Sequence, residues 1–160
     1  MSFDELSTVL WRERELLENL LYKLEVEELV LATGRAKWIG RATREVEALL
    51  DQVRGADLGR AVEADRAALS VGLPAGSSLA ELAAAAPSPW DEMLRAHHVA
   101  LSDIAAQISE LSHLNRDLLA RSVRATQEAL LGINETVGLY DPKGATAART
   151  SSAFLVDEAL

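Results

Sequence analysis

The sequence has no cysteine and few aromatic residues, and each scarcity excludes a class of protein. Without cysteine, the 160-residue chain has no disulfide scaffold, no thiolate metal site and no cysteine nucleophile. Aromatic residues make up only 4% of the chain, so its core must be built from aliphatic side chains. The hydrophobic fraction of 49% is too high for a disordered chain. A chain of this length fits one domain with a real core.

Long apolar runs and a surplus of positive charge are also missing. No apolar run approaches the roughly 18–20 residues that a membrane-spanning helix needs. The N-terminus is acidic where a signal peptide would be basic and then apolar, so we expect a cytoplasmic protein. The 25 acidic and 16 basic residues give a net charge of −9, which repels phosphates. We therefore expect no nucleic-acid partner and no direct membrane insertion.

Apolar residues recur every three or four positions through three long segments, a spacing typical of amphipathic helices. We predict an all-α fold, an elongated antiparallel bundle of about three long helices with coiled-coil-like packing. The predicted helices cover about residues 3–33, 36–69 and 89–139. The pattern leaves open whether residues 1–69 form one bent helix or two.

The segment between the second and third long helices has a different composition. Residues 70–88 contain two prolines and two glycines and are predicted to be a loop. Within this connection, Ser78 and Glu81 can cap a short alanine-rich helix. After the third helix, the sequence Asp-Pro-Lys-Gly at 141–144 is typical of a turn. We therefore assign residues 1–140 to a single helical domain and residues 141–160 to a flexible tail.

The third long helix has the most regular pattern of the chain. Apolar residues follow a heptad seam from Trp90 to Leu118, and the pattern then shifts by one position at Leu119. The C-terminal half therefore has a wider apolar face. At about 1.5 Å per residue, about 50 residues extend about 75 Å, farther than the first helix can cover. Part of the third helix is thus expected to have no permanent partner within the chain.

The histidines do not have the spacing of a metal site. His97 and His98 are adjacent and point about 100° apart on a helix, and His113 lies more than about 20 Å away. We assign His97, which lies in the apolar seam, a structural role. A phosphotransfer domain with an exposed His98 is an alternative, although the Lys-Gly that commonly follows such a histidine is absent.

Other polar and aromatic residues of the helices are interpreted as structural. Asn115 lies within the apolar seam, where a single polar residue can determine helix register. Glu27 and Glu28 are interpreted as part of a solvent-exposed face. The tryptophans are expected in or near the core. The chain has no phosphate-binding loop and no nucleophile elbow, so we expect neither an enzyme nor a catalytic, cofactor-binding or metal-binding residue.

The order of the helices and their amino-acid sequences resemble those of the FlgN family of flagellar export chaperones. The first two helices contribute LWRERELLENLLYKLEVEELVLATG and WIGRATREVEALLDQV, and the third contributes HLNRDLLARSVRATQEALLGI. Leu114-Asn115 followed by Leu118-Leu119 looks like the Leu-Asn…Leu-Leu signature of that family. The run from Leu139-Tyr140 to Gly144 is similar to its Tyr-x-x-x-Gly ending. The resemblance covers roughly residues 3–144.

The resemblance implies a function and places it on particular residues. Such chaperones bind hook–filament junction proteins of the FlgK and FlgL type, keep them unassembled and deliver them to the export apparatus, including its membrane gate FlhA. We expect no cofactor. The resemblance places export-gate docking at Tyr140 and client binding on the third helix, at Leu118, Leu119, Val123, Thr126, Leu130, Ile133 and Val137.

Two other functions suit the same apolar seams. The long helices could instead form a homo-oligomeric coiled coil in a structural protein, and a homodimer remains open. The chain could also be an export chaperone for a different secreted client. A constitutive oligomer keeps a fixed mass on dilution, whereas a chaperone forms a defined complex with its client.

Overall fold

The computed structural model describes residues 2–139, and the side chains of residues 2–133. This part of the chain contains helices and no strand, which confirms the all-α fold and the short helix in the connection. The helices are α1 (Ser2–Ala32), α2 (Ala36–Ser70), α3 (Leu79–Ala85) and α4 (Trp90–Leu139). The segment predicted to be a flexible tail lies outside the described residues.

The chain separates into two compact units within α4. The first unit ends at Leu119 and contains α1, α2, α3 and the beginning of α4. The second unit begins at Ala120, and its described part is residues 120–139 of α4. The assignment of residues 1–140 to one domain stays a prediction.

The turn at Gly34 divides residues 1–69 into two helices. Gly34 adopts a φ of 65°, a left-handed conformation that glycine takes without a Cβ clash. The amide of Arg35 donates to the carbonyl of Val30 at 3.2 Å, and the amide of Gly34 donates to that of Leu31 at 3.3 Å. These two bonds form the Schellman arrangement that ends a helix, so α1 stops here and α2 begins two residues later.

The three long helices of the first unit run up, down and up. α2 is antiparallel to α1. Ser2 at the start of α1 contacts Ser70 at the end of α2, and Lys23, later in α1, contacts Glu45, earlier in α2. α4 is parallel to α1, because residues later in α1 contact residues later in α4. The pairs that establish this direction are Phe3 with Trp90, Trp11 with His97, and Glu27 with Asn115.

Two buried apolar clusters hold the first unit together, and they are almost entirely aliphatic, as the composition predicts. One joins α1, α2, α3 and α4 and consists of Phe3, Leu6, Leu10, Ala67, Ala68, Leu82, Ala83 and Leu94. The other is formed by Leu20, Leu24 and Val46, with half-buried neighbours that include Ile108 and Leu111. The expectation that every tryptophan lies in or near the core is wrong, since Trp11 and Trp38 are exposed by 54% and 42%.

Candidate functional site

The residues predicted to bind a client divide between the two units. Leu118 and Leu119 are half-buried and belong to the first unit. The second unit holds Val123, Thr126, Leu130 and Ile133, which follow one another at spacings of three and four residues and therefore share one helix face. We call these four residues the C-terminal α4 face. Val137 lies in α4 outside the described side chains, and Tyr140 lies outside the described residues.

The C-terminal α4 face is apolar and open to solvent. Val123, Leu130 and Ile133 are exposed by 49%, 57% and 58%, and the neighbouring Leu131 by 64%. In the first unit, the seam of α4 is buried at Leu94 and at other positions up to Asn115. Contiguous exposed aliphatic side chains of this kind are characteristic of an interaction surface.

The side chains of the C-terminal α4 face are suited to apolar contact. Its one polar member, Thr126, donates its hydroxyl hydrogen to the carbonyl of Ser122 at 2.9 Å. Because this hydroxyl is satisfied within the helix, Thr126 is compatible with an apolar partner. The face has no ionisable group for acid–base chemistry. It can bury apolar surface against an amphipathic helix, which such faces recognise through side chains at this spacing.

A cleft lies between α1, α2 and α4 in the first unit. Its volume is about 290 Å³, and its apolar walls include Leu24, Val46, Leu50 and Leu119. Its polar wall is formed by residues that include Asn115, Glu27 and Thr43. The cleft therefore combines aliphatic walls with a group of hydrogen-bonding side chains.

The polar wall of the cleft is a hydrogen-bond network with one member from each long helix. Asn115 of α4 donates through Nδ2 to the carbonyl of Leu24 at 2.9 Å and to Glu27 Oε2 at 3.0 Å. Thr43 of α2 donates to Glu27 Oε1 at 2.9 Å. Asn115 and Glu27 are only 4% and 7% exposed. The position predicted for Asn115, a polar residue inside the helix interface, is confirmed.

The burial of Glu27 contradicts its interpretation from the sequence as a solvent-exposed residue. Glu27 was assigned to a solvent-exposed face together with Glu28, but it is buried and accepts hydrogen bonds from two helices. The signal that could have identified it is its spacing. Leu20, Leu24, Glu27 and Leu31 follow at intervals of four, three and four, so Glu27 lies on the buried face of α1.

His97 is part of the core of the first unit. It is 3% exposed, and the ring of Trp11 contacts it edge-on with the two centroids 4.9 Å apart. Burial lowers the pKa of His97 below its usual 6.5, and the positive charge of Arg14 lowers it further. A neutral imidazole agrees with the structural role assigned to this residue. His98 and His113 are exposed.

Residues 2–139, which the structure describes, contain neither a candidate metal site nor a candidate membrane span. No three His, Asp or Glu side chains among them lie close enough together to hold a metal ion. None of their helices is both long and apolar enough to cross a membrane.

Comparison with known proteins identifies one family. The family model described as FlgN protein matches residues 1–148. The match contains all four helices, the cleft and the C-terminal α4 face. No curated protein and no solved structure matches the chain.

Proposed function

The chain belongs to the FlgN family of flagellar export chaperones, and from this membership we propose that it binds the terminal helices of hook–filament junction proteins. FlgN is a chaperone family and not an enzyme family. The proposed clients are of the FlgK and FlgL type. We further propose that the chain acts in the cytoplasm, prevents premature assembly of these clients and delivers them to the flagellar type III export apparatus.

The observation that carries this proposal is the exposure of the C-terminal α4 face. An amphipathic client helix that lies along this face covers Val123, Leu130 and Ile133, which are all at least 49% exposed without a client. Burying each such side chain contributes up to about 1.5–3 kcal/mol. A client helix held in this way cannot pair with other copies of the client, which is how binding delays assembly.

The first experiment is a calorimetric titration of the full chain with the C-terminal helical segment of a junction protein from the same organism. We expect saturable 1:1 binding, together with a gain of helical circular dichroism as the client segment becomes ordered. No binding by a chain that is folded contradicts the proposal.

Substitutions on the C-terminal α4 face locate the site. Leu130→Asp and Ile133→Asp each place a charge where the client helix would bury an aliphatic side chain, so each is expected to weaken binding by about tenfold or more. Leu58→Asp is the matched control, because Leu58 on α2 is 72% exposed and lies outside the proposed site. Unchanged affinity in both α4 variants contradicts the proposed site.

The proposed docking to the export gate FlhA is tested at Tyr140. Tyrosine offers a large contact area at a low cost in conformational entropy, which suits a docking residue. We expect Tyr140→Ala to bind the client normally and to bind the cytoplasmic domain of FlhA more weakly. Equal affinity for the gate before and after the substitution removes this role from Tyr140.

A homo-oligomeric coiled coil is the second candidate, and the same exposed face favours it. The spacing of Val123, Leu130 and Ile133 suits another copy of the helix as well as a client helix. Sedimentation of the chain over a range of concentrations separates the two functions. A fixed oligomeric mass at micromolar dilution, with no binding to either junction protein, supports the coil.

A further inference from the structure

A concentrated group of basic residues surrounds the turn between α1 and α2. Residues 29–44 contain four basic and no acidic residues, in a chain whose net charge is −9. We call Arg35, Lys37, Arg41 and Arg44 the basic patch. The last three are spaced i, i+4 and i+7 and so share one face of α2. That face is exposed, whereas Ala42 and Val46 are buried on the other side of the helix.

Most of the positive charge of the basic patch is not neutralised by the chain. Within the described residues, Arg35, Lys37 and Arg44 form no ion pair, and Arg41 pairs with Glu45 one turn away at 2.9 Å. The later basic residues of α2 differ in this respect, since Arg54, Arg60 and Arg66 each pair with a nearby carboxylate. The basic patch is therefore available to an anion outside the chain.

Two large apolar side chains are exposed within residues 29–44, the segment that contains the basic patch. Trp38 is 42% exposed, and the Lys37 ammonium lies 5.0 Å from the centre of its ring. Leu29, in the last turns of α1, is 64% exposed. Tryptophan favours the boundary between water and hydrocarbon, because its ring is apolar and its N–H is polar.

We propose that the basic patch, with Trp38 and Leu29, docks the chain on an anionic phospholipid membrane. The contact is peripheral: the basic side chains bind phosphate head groups, and Trp38 lies at their level. This inference goes beyond the proposed chaperone function and requires no client.

The charge distribution favours a membrane over a nucleic acid or an acidic peptide. A membrane plane meets only the face turned towards it, and acidic groups farther away than a Debye length of about 8 Å contribute little repulsion. A nucleic acid binds through successive aromatic platforms or many phosphate contacts, whereas this region offers one tryptophan and an outward-facing helix surface. Arginine clusters also bind acidic peptides, but the exposed Trp38 and Leu29 would find no apolar partner in such a peptide, whereas a membrane offers hydrocarbon beside its phosphates.

The test is sedimentation of the full chain with phospholipid vesicles. Vesicles of phosphatidylcholine and phosphatidylglycerol in a 3:1 ratio are compared with vesicles of phosphatidylcholine alone. We expect about tenfold or stronger binding to the anionic vesicles, and weaker binding as salt increases. Absence of a preference for anionic vesicles overturns the proposal.

Charge reversal identifies the surface that is responsible. The double variant Lys37→Glu, Arg44→Glu is expected to lose at least about tenfold in vesicle binding. The matched control is Arg54→Glu, Arg66→Glu, which changes the net charge equally on the same helix and is expected to bind within about twofold of the unchanged chain. An equal loss in the control, with both variants folded by circular dichroism, overturns the proposal.

Trp38 provides a direct signal of the contact. Its emission is expected to shift to shorter wavelength on anionic vesicles, and Trp38→Phe is expected to abolish the shift although Trp11 and Trp90 remain. A shift that persists in Trp38→Phe overturns the assignment of the contact. The chain is also tested with polyuridylic acid as a competing ligand. If it binds polyuridylic acid more tightly than the vesicles, and Lys37→Glu, Arg44→Glu loses this binding, the proposed membrane contact is overturned in favour of a nucleic acid.

Discussion

Asn115 links the three long helices of the first unit through polar contacts. It donates to the backbone of α1 at Leu24 and to the side chain of Glu27, which also accepts from Thr43 of α2. A buried carboxylate is costly unless donors surround it, so Glu27 depends on both partners. These three hydrogen bonds form in the observed alignment of the helices, and the network therefore favours this register.

Removing Asn115 should destabilise the fold. Asn115→Ala leaves Glu27 Oε2 buried with one donor fewer, so we expect the free energy of unfolding to fall by about 1–3 kcal/mol. The double variant Asn115→Leu, Glu27→Leu is expected to cost less than the sum of its single variants, because the buried carboxylate and its Asn115 donor are then removed together. Urea denaturation measures both. Asn19→Ala on the exposed side of α1 is the control, and an equal loss there would contradict the role of the network.

His97 should make stability depend on pH. Burial, aided by Arg14, holds the pKa of His97 below its usual 6.5 in the folded chain, so the unfolded chain takes up this proton at a higher pH. The contribution of His97 to stability is therefore complete above pH 6.5 and is lost as the pH falls below it, through the folded pKa.

The measurement for His97 is denaturation at pH 7.5 and pH 5.5. The stability lost between these values should be smaller in His97→Gln than in the unchanged chain. Burial also raises the pKa of Glu13, whose contribution has the opposite sign, but Glu13 is present in both proteins and cancels in the comparison. His98→Gln, at an exposed position, should retain the full dependence. The same flattening in both variants would exclude His97 as the cause.

Buried polar residues can be predicted from the sequence only where the helical spacing places them on an apolar face. His97 and Asn115 were recognised as interior residues because they interrupt an apolar seam of regular spacing. Glu27 was missed because its charge and its neighbour Glu28 suggested solvent, although its spacing matches the buried leucines. Trp11 was expected near the core, but its ring lies at the edge, against His97 and 5.3 Å from the Arg14 guanidinium. Large amphipathic rings are often only partly buried.

At the scale of elements, α3 shows how a short helix is maintained by a cap and by packing. Ser78 accepts from the amide of Glu81 at 3.2 Å, and its own amide donates to Glu81 Oε2 at 2.7 Å. The hydrogen bonds from the backbone and side chain of Ser78 lower the pKa of Glu81. A helix of seven residues is marginal alone, so α3 also relies on Leu82 and Ala83 in the core.

Truncating the main anchor of α3 should therefore weaken the whole first unit. Leu82 is completely buried, and Leu82→Ala is expected to lower the free energy of unfolding by about 2–5 kcal/mol. Leu58→Ala makes the same change at a leucine that is 72% exposed and is expected to cost less than about 1 kcal/mol. Similar losses in the two variants, measured by chemical denaturation, would show that α3 does not depend on its packing.

Periodicity and capping residues are sufficient to predict the elements, but they do not predict how the elements pair. The Ser78–Glu81 capping box was recognised from the two residues alone, and it forms. The division between α1 and α2 was left open, because Gly34 can weaken a helix without ending it. The parallel direction of α1 and α4 depends on contacts such as Phe3 with Trp90, 6.1 Å apart between ring centres. A seam shows which face is buried and does not show which helix buries it.

At the scale of the whole molecule, burial and exposure of apolar residues are separated along the chain. Both buried clusters, with their half-buried neighbours, are formed by residues 3–111. The described side chains from Val123 to Ile133 include four large aliphatic residues that are 49% to 64% exposed. Stability and proposed binding therefore depend on different parts of the sequence, and a substitution can affect one without the other.

Truncation tests this separation. A chain that ends at Leu119 retains both buried clusters and should unfold cooperatively, as measured by circular dichroism during heating, but it should not bind the junction-protein segment. A chain that ends at Leu139 retains the C-terminal α4 face and lacks Tyr140, so it should bind the client and lose affinity for the gate. An unfolded 1–119 chain would show that the buried clusters are insufficient. Full client binding by that chain would instead move the site into the first unit, where the cleft beside Asn115 has suitable aliphatic walls.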